Sequence, residues 1–318
     1  MSTANVVPET VGLDGDDARR VLARARVGRV LKDSALRFRW ADGFSHSRAL
    51  AFQTVLTLVP AIIVASGLAT VLHNTALSDT ILRAIESLAP GPSGDVFRSA
   101  AAQGSSNGGV AAGRRALLIG TAVMMVSAAT TFGQIERGAN RIYGVEKDRP
   151  SVKKYGLATA LALTAGATLI ASFIVLALGR SIGAEKDSAK WEAWVVLRWP
   201  LGAVLLVVGY AMIFRLSPRR SQPPASWLAV GAALSVLLTL LASVALAFYL
   251  NFSSTFGDTY GPLGGVMGVM LWSYLSAMGL FLGIAFCAQL EAVRAGEPEP
   301  QSVEKVELTE PVLAPAST

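Results

Sequence analysis

The stretch from Ala49 to Leu72, ALAFQTVLTLVPAIIVASGLATVL, decides the fold class of this chain. It contains no charged residue, and an α-helix of this length, rising about 1.5 Å per residue, crosses a hydrocarbon core of roughly 30 Å. Apolar helices buried inside soluble proteins are typically much shorter than this. The stretch is therefore predicted to be a transmembrane helix.

Further predominantly apolar stretches of similar length follow along the chain. Together with the first, the predicted spans cover residues 49–72, 115–133, 157–178, 195–216, 227–252 and 263–290. The whole chain is 52% hydrophobic and 16% charged, with a mean hydropathy of +0.48, well above an average soluble protein. We therefore predict an all-α polytopic membrane protein built as a six-helix transmembrane bundle.

The region before the first span has the pattern of a basic amphipathic helix. Apolar residues recur at steps of three and four, and arginines fill much of the remaining surface; the apolar positions are Val21, Ala25, Gly28, Leu31, Ala35 and Phe38. Two placements stay open. The helix either lies in the membrane interface, where each arginine gains about 1 kcal/mol from anionic headgroups, or packs on the cytoplasmic end of the bundle.

The remaining segments complete the predicted organisation. A short outer amphipathic helix is expected at residues 78–90, where Ser78 and Asp79 form a start signal and a Pro-Gly-Pro sequence a stop. Residues 18–294 form the membrane domain. Residues 1–17 are predicted to be disordered, as is the proline-rich and acidic tail at 295–318.

Lysines and arginines are unevenly divided between the two sides of the predicted bundle. Most flank the N-terminal region, the connection between the second and third spans, the end of the fourth span and the C-terminus. Basic residues near span ends are retained in the cytoplasm. The sequence therefore predicts a multi-pass protein of the bacterial inner membrane with both termini in the cytoplasm, and the net charge of +6 is attributed to topology rather than to nucleic acid.

The inventory of reactive side chains is small. His46 precedes the first span and His73 follows it, so a membrane thickness separates the two histidines and they cannot share a metal ion. Cys287 is the single cysteine, and no GxxxxGK[ST] sequence is present. We expect no catalytic residues, no metal, no cofactor and no enzymatic activity. The expected partners are membrane lipids, and a homo-oligomer stays open.

Several polar, helix-breaking or small residues within the spans are candidates for lining a cavity or packing helices. Gln53 and Pro60 fall inside the first span, where Gln53 either faces a protein-lined interior or joins two helices by a hydrogen bond. The full set of candidate positions is Gln53, Pro60, Asn140, Tyr143, Arg215, Tyr260, Gly264, Gly268 and Trp272. The glycines of the sixth span more often bring helix backbones together than bind a solute.

Four separated stretches resemble the YihY/BrkB membrane proteins, once labelled ribonuclease BN-like. They are SRALAFQTVLTLVP at 47–60, ANRIYGVEKDRP at 139–150, IFRLSP at 213–218 and YGPLGGVMGVMLWSYLSAMGLFLG at 260–283. The resemblance implies a six-helix inner-membrane protein without a settled activity. Gln53 stands where many members have Tyr, and Ala285 and Cys287 stand where the family has an intramembrane Glu and an Asn.

Three functions are weighed on these grounds. The leading hypothesis is a transporter-like or lipid-interacting envelope protein, because polar and helix-breaking residues interrupt an otherwise uncharged bundle. The second is a membrane scaffold or assembly partner that docks through its glycine-rich faces and basic helix. Membrane-bound RNA cleavage, the third, conflicts with the missing metal ligands.

Overall fold

The computed structural model describes residues 3–9, 15–73, 98–99, 101–103, 109–177, 189–252, 264–296 and 299–300. The helices are α1 (Gly15–Arg24), α2 (Val27–Trp40), α3 (Gly43–Val71), α4 (Gly109–Ile142), α5 (Ser151–Leu161), α6 (Ala167–Ala177), α7 (Ala189–Leu216), α8 (Ala225–Phe252) and α9 (Gly264–Ala295). A π-helical turn, Ala162–Gly166, joins α5 to α6. Within these residues there is no β-strand.

Among the residues that the structure describes, six helices are long and apolar enough to cross a membrane, which confirms the predicted all-α six-span architecture. They cover Gly43–Val71, Leu117–Ile142, Ser151–Ser172, Glu192–Leu216, Ala225–Leu250 and Val266–Ala295. Each overlaps one predicted span, but α3, α4, α5 and α9 continue further at one end of the bundle. We call this end the basic end, because Arg37, Arg149, Arg219 and Arg220 lie there. The predicted spans end where charged residues begin. In the structure these charged side chains have polar partners, so the helices continue past them.

The last helix, α9, forms the centre of the bundle. Phe281, Ile284 and Leu290 are at most 1% exposed, and the neighbouring α8 supplies the fully buried Trp227 and Leu228. Small residues set the spacing between these helices: a Cβ added to Gly283 would lie 2.6 Å from the Gly231 carbonyl oxygen. The glycine faces of α9 are therefore used inside the bundle.

The basic N-terminal region forms two helices, and both pack on the bundle. A break at Ala25 and Arg26 separates α1 from α2, so one apolar stripe does not run through both. In α2 the buried residues are Val30, Ser34, Arg37 and Phe38, whereas Leu31 is 43% exposed and Ala35 is also exposed. The predicted stripe was therefore wrong in this part, because the break resets the helical phase. Of the two placements, the structure has packing on the bundle.

Residues 1–17 were predicted to be disordered, but residues 3–9 pack on the bundle and α1 begins at Gly15. Residues 3–9 are not helical and cross the basic end, where the Ala4 and Val7 amides donate hydrogen bonds to the carbonyls of Arg141 and Tyr143, both at 3.2 Å. The Ala4 and Val7 side chains are at most 2% exposed. These backbone hydrogen bonds and this apolar burial offset the entropy of ordering the segment. The end of α9 lies at the same end of the bundle.

Some predicted elements lie outside the described residues. They are the outer amphipathic helix at 78–90, the connection at 253–263 with Tyr260, and most of the tail at 295–318. In the connection between α3 and α4, residues 101–103 are helical, and Ala101 packs against Leu58, Val59 and Ile62 of α3.

Candidate functional site

Polar side chains join α3 to α4 along a seam inside the membrane-spanning region. The two helices run antiparallel, and Gln53 Nε2 donates a hydrogen bond to Thr130 Oγ1. One turn further along α3, the hydroxyls of Thr57 and Thr131 lie 3.0 Å apart. Each partner satisfies a group that lipid cannot, so the seam contributes to helix association. We call these four residues the polar seam.

The polar seam borders a cavity at the basic end, between α3, α4 and α5. The cavity has a volume of about 270 Å³. Its lining combines aromatic, amide, hydroxyl and cationic side chains: Ala49, Phe52, Gln53, Thr130, Gly133, Gln134, Arg137, Lys154 and Tyr155. We call it the basic-end groove. The groove is partly open, so it is a recess in the surface of the bundle and not an enclosed void.

Gly133 shapes the groove where α5 meets α4. A Cβ added at Gly133 would lie 3.4 Å from Lys154 Cε and 3.8 Å from Tyr155 Cε1. The aliphatic part of Lys154 therefore passes directly over the α4 backbone. Its ammonium group reaches Asp148 Oδ2 at 3.0 Å, beyond the groove. A larger residue at Gly133 would fill space that is now open.

Asp148 contacts several polar side chains beside the groove. Its carboxylate accepts hydrogen bonds from Asn140 Nδ2 at 2.9 Å and Lys154 Nζ at 3.0 Å, and Arg137 Nε lies 3.6 Å from Oδ2. Burial acts to raise the pKa of Asp148, but the hydrogen bonds from Asn140 and Lys154 and the nearby charges outweigh burial and hold this pKa below 3.8. The carboxylate is therefore ionised at neutral pH.

The chain segment around Asp148 also fastens α4 to the end of α7. The Arg219 amide donates to Asn140 Oδ1 at 2.7 Å, and the Arg149 guanidinium donates to the carbonyl oxygens of Ser217 at 2.7 Å and Pro218 at 2.8 Å. Arg149 also lies 3.5 Å from the buried carboxylate of Glu136. The side chains around Asp148 thus form a set of partly buried pairs that holds three helices together.

A second polar network lies deeper in the basic end, between α2, α9 and the end of α4. Arg37 is fully buried and donates to Gln289 Oε1 at 3.0 Å, to the Asn5 carbonyl at 3.0 Å and to the Ile142 carbonyl at 3.3 Å. Burial lowers the pKa of Arg37 to about 10, so the guanidinium stays charged at neutral pH. The network therefore stabilises a charge away from solvent.

Tyr143 belongs to the same deeper network. Its ring lies 4.6 Å from the Arg220 guanidinium carbon, and Arg220 Nη2 lies 2.7 Å from Glu291 Oε2. Burial, with the Glu291 carboxylate nearby, raises the pKa of Tyr143 well above 10.0. The tyrosine is neutral at physiological pH and serves as a cation–π partner.

The structure separates the candidate residues predicted from sequence. Among those it describes, Gln53 lines the basic-end groove, while Asn140 and Tyr143 belong to the networks described above. Pro60 is buried in α3, and Arg215 is exposed at the end of α7.

The other described candidates lie in the half of α9 away from the basic end, where Gly268 packs on Leu250 and Trp272 donates to Ser243 Oγ at 2.9 Å. Gly264 begins α9, and Tyr260 lies outside the described residues.

Sequence reasoning missed several residues of these networks. Arg37, Gln289 and Glu291 were not candidates, although all three are fully buried. The available signal for Arg37 was its position on the same helical face as Val30 and Phe38. For Glu291 it was an acid at the end of an apolar helix, which needs a cationic partner. Arg220 supplies that partner from 71 residues away in sequence.

The described residues contain no group of three or more His, Cys, Asp or Glu side chains placed to hold a metal ion. The basic-end groove thus places hydrogen-bond donors and cationic side chains around an open space.

The order and spacing of these elements match a known family. The sequence profile described as virulence factor BrkB matches residues 35–307, which includes every membrane-spanning helix. The chain belongs to the BrkB family. No match to it was found among curated proteins or among solved structures.

The two residues of α9 at which the chain differs from the family resemblance described above lie in the packed core. Ala285 and Cys287 are fully buried, and Cys287 Sγ lies 3.7 Å from the Leu228 carbonyl oxygen. One turn later, α9 makes polar contacts at its basic end, by Gln289 with Arg37 and by Glu291 with Arg220. In this BrkB family member, Gln289 and Glu291 thus place buried polar groups at the basic end of α9.

Proposed function

We propose that this BrkB family protein is a transporter-like membrane protein that binds and moves a lipid or another amphiphile. The observation that carries the proposal is the basic-end groove of about 270 Å³, bordered by the polar seam. Small-molecule sites are concave, mostly preformed, and combine apolar walls with a few placed polar groups. The basic-end groove combines aromatic walls with a few amide and cationic side chains in this way.

The composition of the groove favours an amphiphile over a small ion. Phe52 and Tyr155 supply aromatic surface, and Gln53 and Gln134 supply amide groups. A cation site would need several oxygen ligands with carboxylates among them, and the lining contains no Asp or Glu. No catalytic step is part of the proposal.

The docking hypothesis has less support from the contacts. It relied on glycine-rich faces and on a free basic helix. Gly231, Gly279 and Gly283 pack α8 against α9, and α2 packs on α9 through Arg37. The Gly279 and Gly283 face of α9 and the Arg37 face of α2 are therefore occupied within the chain.

We also propose that the basic end faces the cytoplasm of a bacterium and that the membrane is the inner membrane. The concentration of arginines at this end supports this orientation through the positive-inside tendency. Cys287 is the only cysteine and is buried, so an added surface cysteine gives a clean topology probe. Arg24→Cys in intact cells should resist a membrane-impermeant maleimide and react after permeabilisation; reaction in intact cells would overturn the orientation.

Transbilayer movement is tested in proteoliposomes that carry a headgroup-labelled fluorescent lipid. Chemical quenching from outside reports how much labelled lipid reaches the outer leaflet. We expect the wild-type protein to raise the quenched fraction above that of protein-free vesicles, and Gln53→Leu to lower the rate. Thr70→Val, on the same helix but outside the groove, should leave the rate unchanged. No movement with several lipids and amphiphiles would contradict the proposal.

A further inference from the structure

We propose that the basic-end groove is a binding site for an anionic phospholipid, with its phosphate at the Arg137 and Lys154 side and its acyl chains along α3. This inference deepens the proposed function, because it names the class of amphiphile that the same groove takes. Three independent features carry it: the charge at the groove, the hydrogen-bond donors that line it, and the apolar surface beside it.

The charge beside the groove is positive overall. Arg137 and Lys154 line the groove, and Asp148 is the carboxylate paired with both. Lys154 is held close to Asp148, at 3.0 Å, whereas Arg137 is 3.6 Å away and its side chain remains 43% exposed. One carboxylate cannot neutralise two cations. The guanidinium of Arg137 is therefore available to a phosphate, which it can bind through two parallel N–H donors.

Helix α5 adds to this preference for an anion. Lys154 and Tyr155 lie in its first turns, since α5 begins at Ser151. The N-terminus of a helix carries a partial positive charge that favours a nearby anion. The amides of Gln53 and Gln134 and the hydroxyl of Tyr155 can donate further hydrogen bonds. Donors are thus supplied to the groove by α3, α4 and α5.

The surface next to these donors is apolar and exposed. Phe52 is 55% exposed and Leu56, one turn further along α3, is 47% exposed. Tyr155 of α5 is 49% exposed and reaches the groove from the other side. A free phosphate ion would gain nothing from such walls, whereas acyl chains bury them at roughly 25 cal/mol per Å². The combination of a cationic pocket and an apolar strip fits a phospholipid.

The depth of the groove agrees with this occupant. Gln53 lies within the membrane-spanning part of α3, and Arg137 lies in the last turns of α4 before Ile142. The groove therefore lies toward the basic end of two membrane-spanning helices, a position that suits a lipid headgroup and its first acyl carbons. A ligand entering from the leaflet would not need to cross water.

Native mass spectrometry of the purified protein tests the inference. The probe is an equal mixture of phosphatidylglycerol and phosphatidylcholine with identical acyl chains. We expect preferential retention of phosphatidylglycerol, and Arg137→Gln should weaken that preference roughly tenfold, as loss of a charge-assisted contact does. Arg137→Lys keeps the charge but loses the planar fork, so it should fall between. Arg294→Gln, an exposed arginine at the basic end outside the groove, is the matched control.

The outcomes separate the inference from the proposed function. Equal retention of the two lipids by the wild-type protein, or equal effects of Arg137→Gln and Arg294→Gln, would overturn the lipid site. Full displacement of phosphatidylglycerol by inorganic phosphate at equal concentration would assign the site to a free anion and also overturn it. Movement of lipids in proteoliposomes is a separate readout, so selective binding without movement would leave this inference standing while the transport proposal fails.

Discussion

Arg220 Nη2 and Glu291 Oε2 lie 2.7 Å apart, with side chains only 3% and 0% exposed, and this ion pair joins the start of the loop before α8 to the end of α9. Removing one partner of a buried pair leaves an uncompensated charge. The pair therefore gives a sharp test of how the basic end is stabilised.

The first prediction concerns this pair. Arg220→Met should lower the free energy of unfolding by about 3–5 kcal/mol, because the Glu291 carboxylate loses its ion-pair partner. The double substitution with Glu291→Met should recover much of that loss. The measurement is tryptophan-detected unfolding in detergent, with Arg294→Gln as the control. A double variant no more stable than Arg220→Met would contradict the argument.

The second prediction concerns pH and Asp148. The pKa of Asp148 is lowered in the folded chain, so ionisation stabilises the fold above the unfolded pKa, and this contribution is lost as the pH falls through the folded pKa, below 3.8. Asp148→Asn should therefore melt below the wild type at about pH 7, and the gap should close below about pH 4. Melting curves at several pH values measure this. A gap independent of pH would show that the charge of Asp148 is not involved.

The third prediction concerns the polar seam. Gln53→Leu removes the hydrogen bond to Thr130, and interhelical hydrogen bonds in membranes contribute about 0.6 to 2 kcal/mol. Thr130→Val removes the same bond from the other helix. The two losses should not add in the double variant, because both report one interaction. Fully additive losses would mean that the two side chains act separately.

The fourth prediction concerns the approach of α8 and α9. Gly231→Ala places a methyl group 2.6 Å from the Gly283 carbonyl oxygen, so the helices must separate, at a cost of about 1–3 kcal/mol. Gly156→Ala is the matched control, since a Cβ at that helical glycine meets nothing within 4 Å and should be neutral or stabilising. Equal melting temperatures for the two variants would contradict the close packing.

The fifth prediction concerns the N-terminal segment. Val7 is 2% exposed and Val6 is 62% exposed, although they are neighbours. Val7→Asp should lower the melting temperature and speed proteolysis of the segment, because it buries an unpaired charge, whereas Val6→Asp should have little effect. The same sensitivity of both positions would argue that Thr3–Glu9 does not pack on the basic end.

The sequence predicted most of the fold because lipid imposes a strong and local rule. A backbone in hydrocarbon must satisfy its own hydrogen bonds, so each long apolar stretch becomes a helix regardless of its neighbours. The spans around Ala49–Leu72 and within 263–290 follow from composition alone. Helix ends were less predictable, because Arg137 and Glu291 remain inside helices only when partners from other elements neutralise them.

The candidate site was predictable only in part. Gln53 stood out as a polar residue within an apolar span, and it lines the groove. Sequence did not predict that the Lys154 side chain passes over Gly133, or that Trp272 lies apart from the second polar network. Both features depend on which helices meet.

Sequence by itself determined the number of membrane spans, the helical class, the family and the excess of arginines that marks one end. The tertiary structure decided which charges are paired, where Thr3–Glu9 packs and where an open groove remains. The physical reason is that burial in lipid acts on each segment alone, whereas pairs such as Arg37 with Gln289, separated by 252 residues, exist only after the helices have packed.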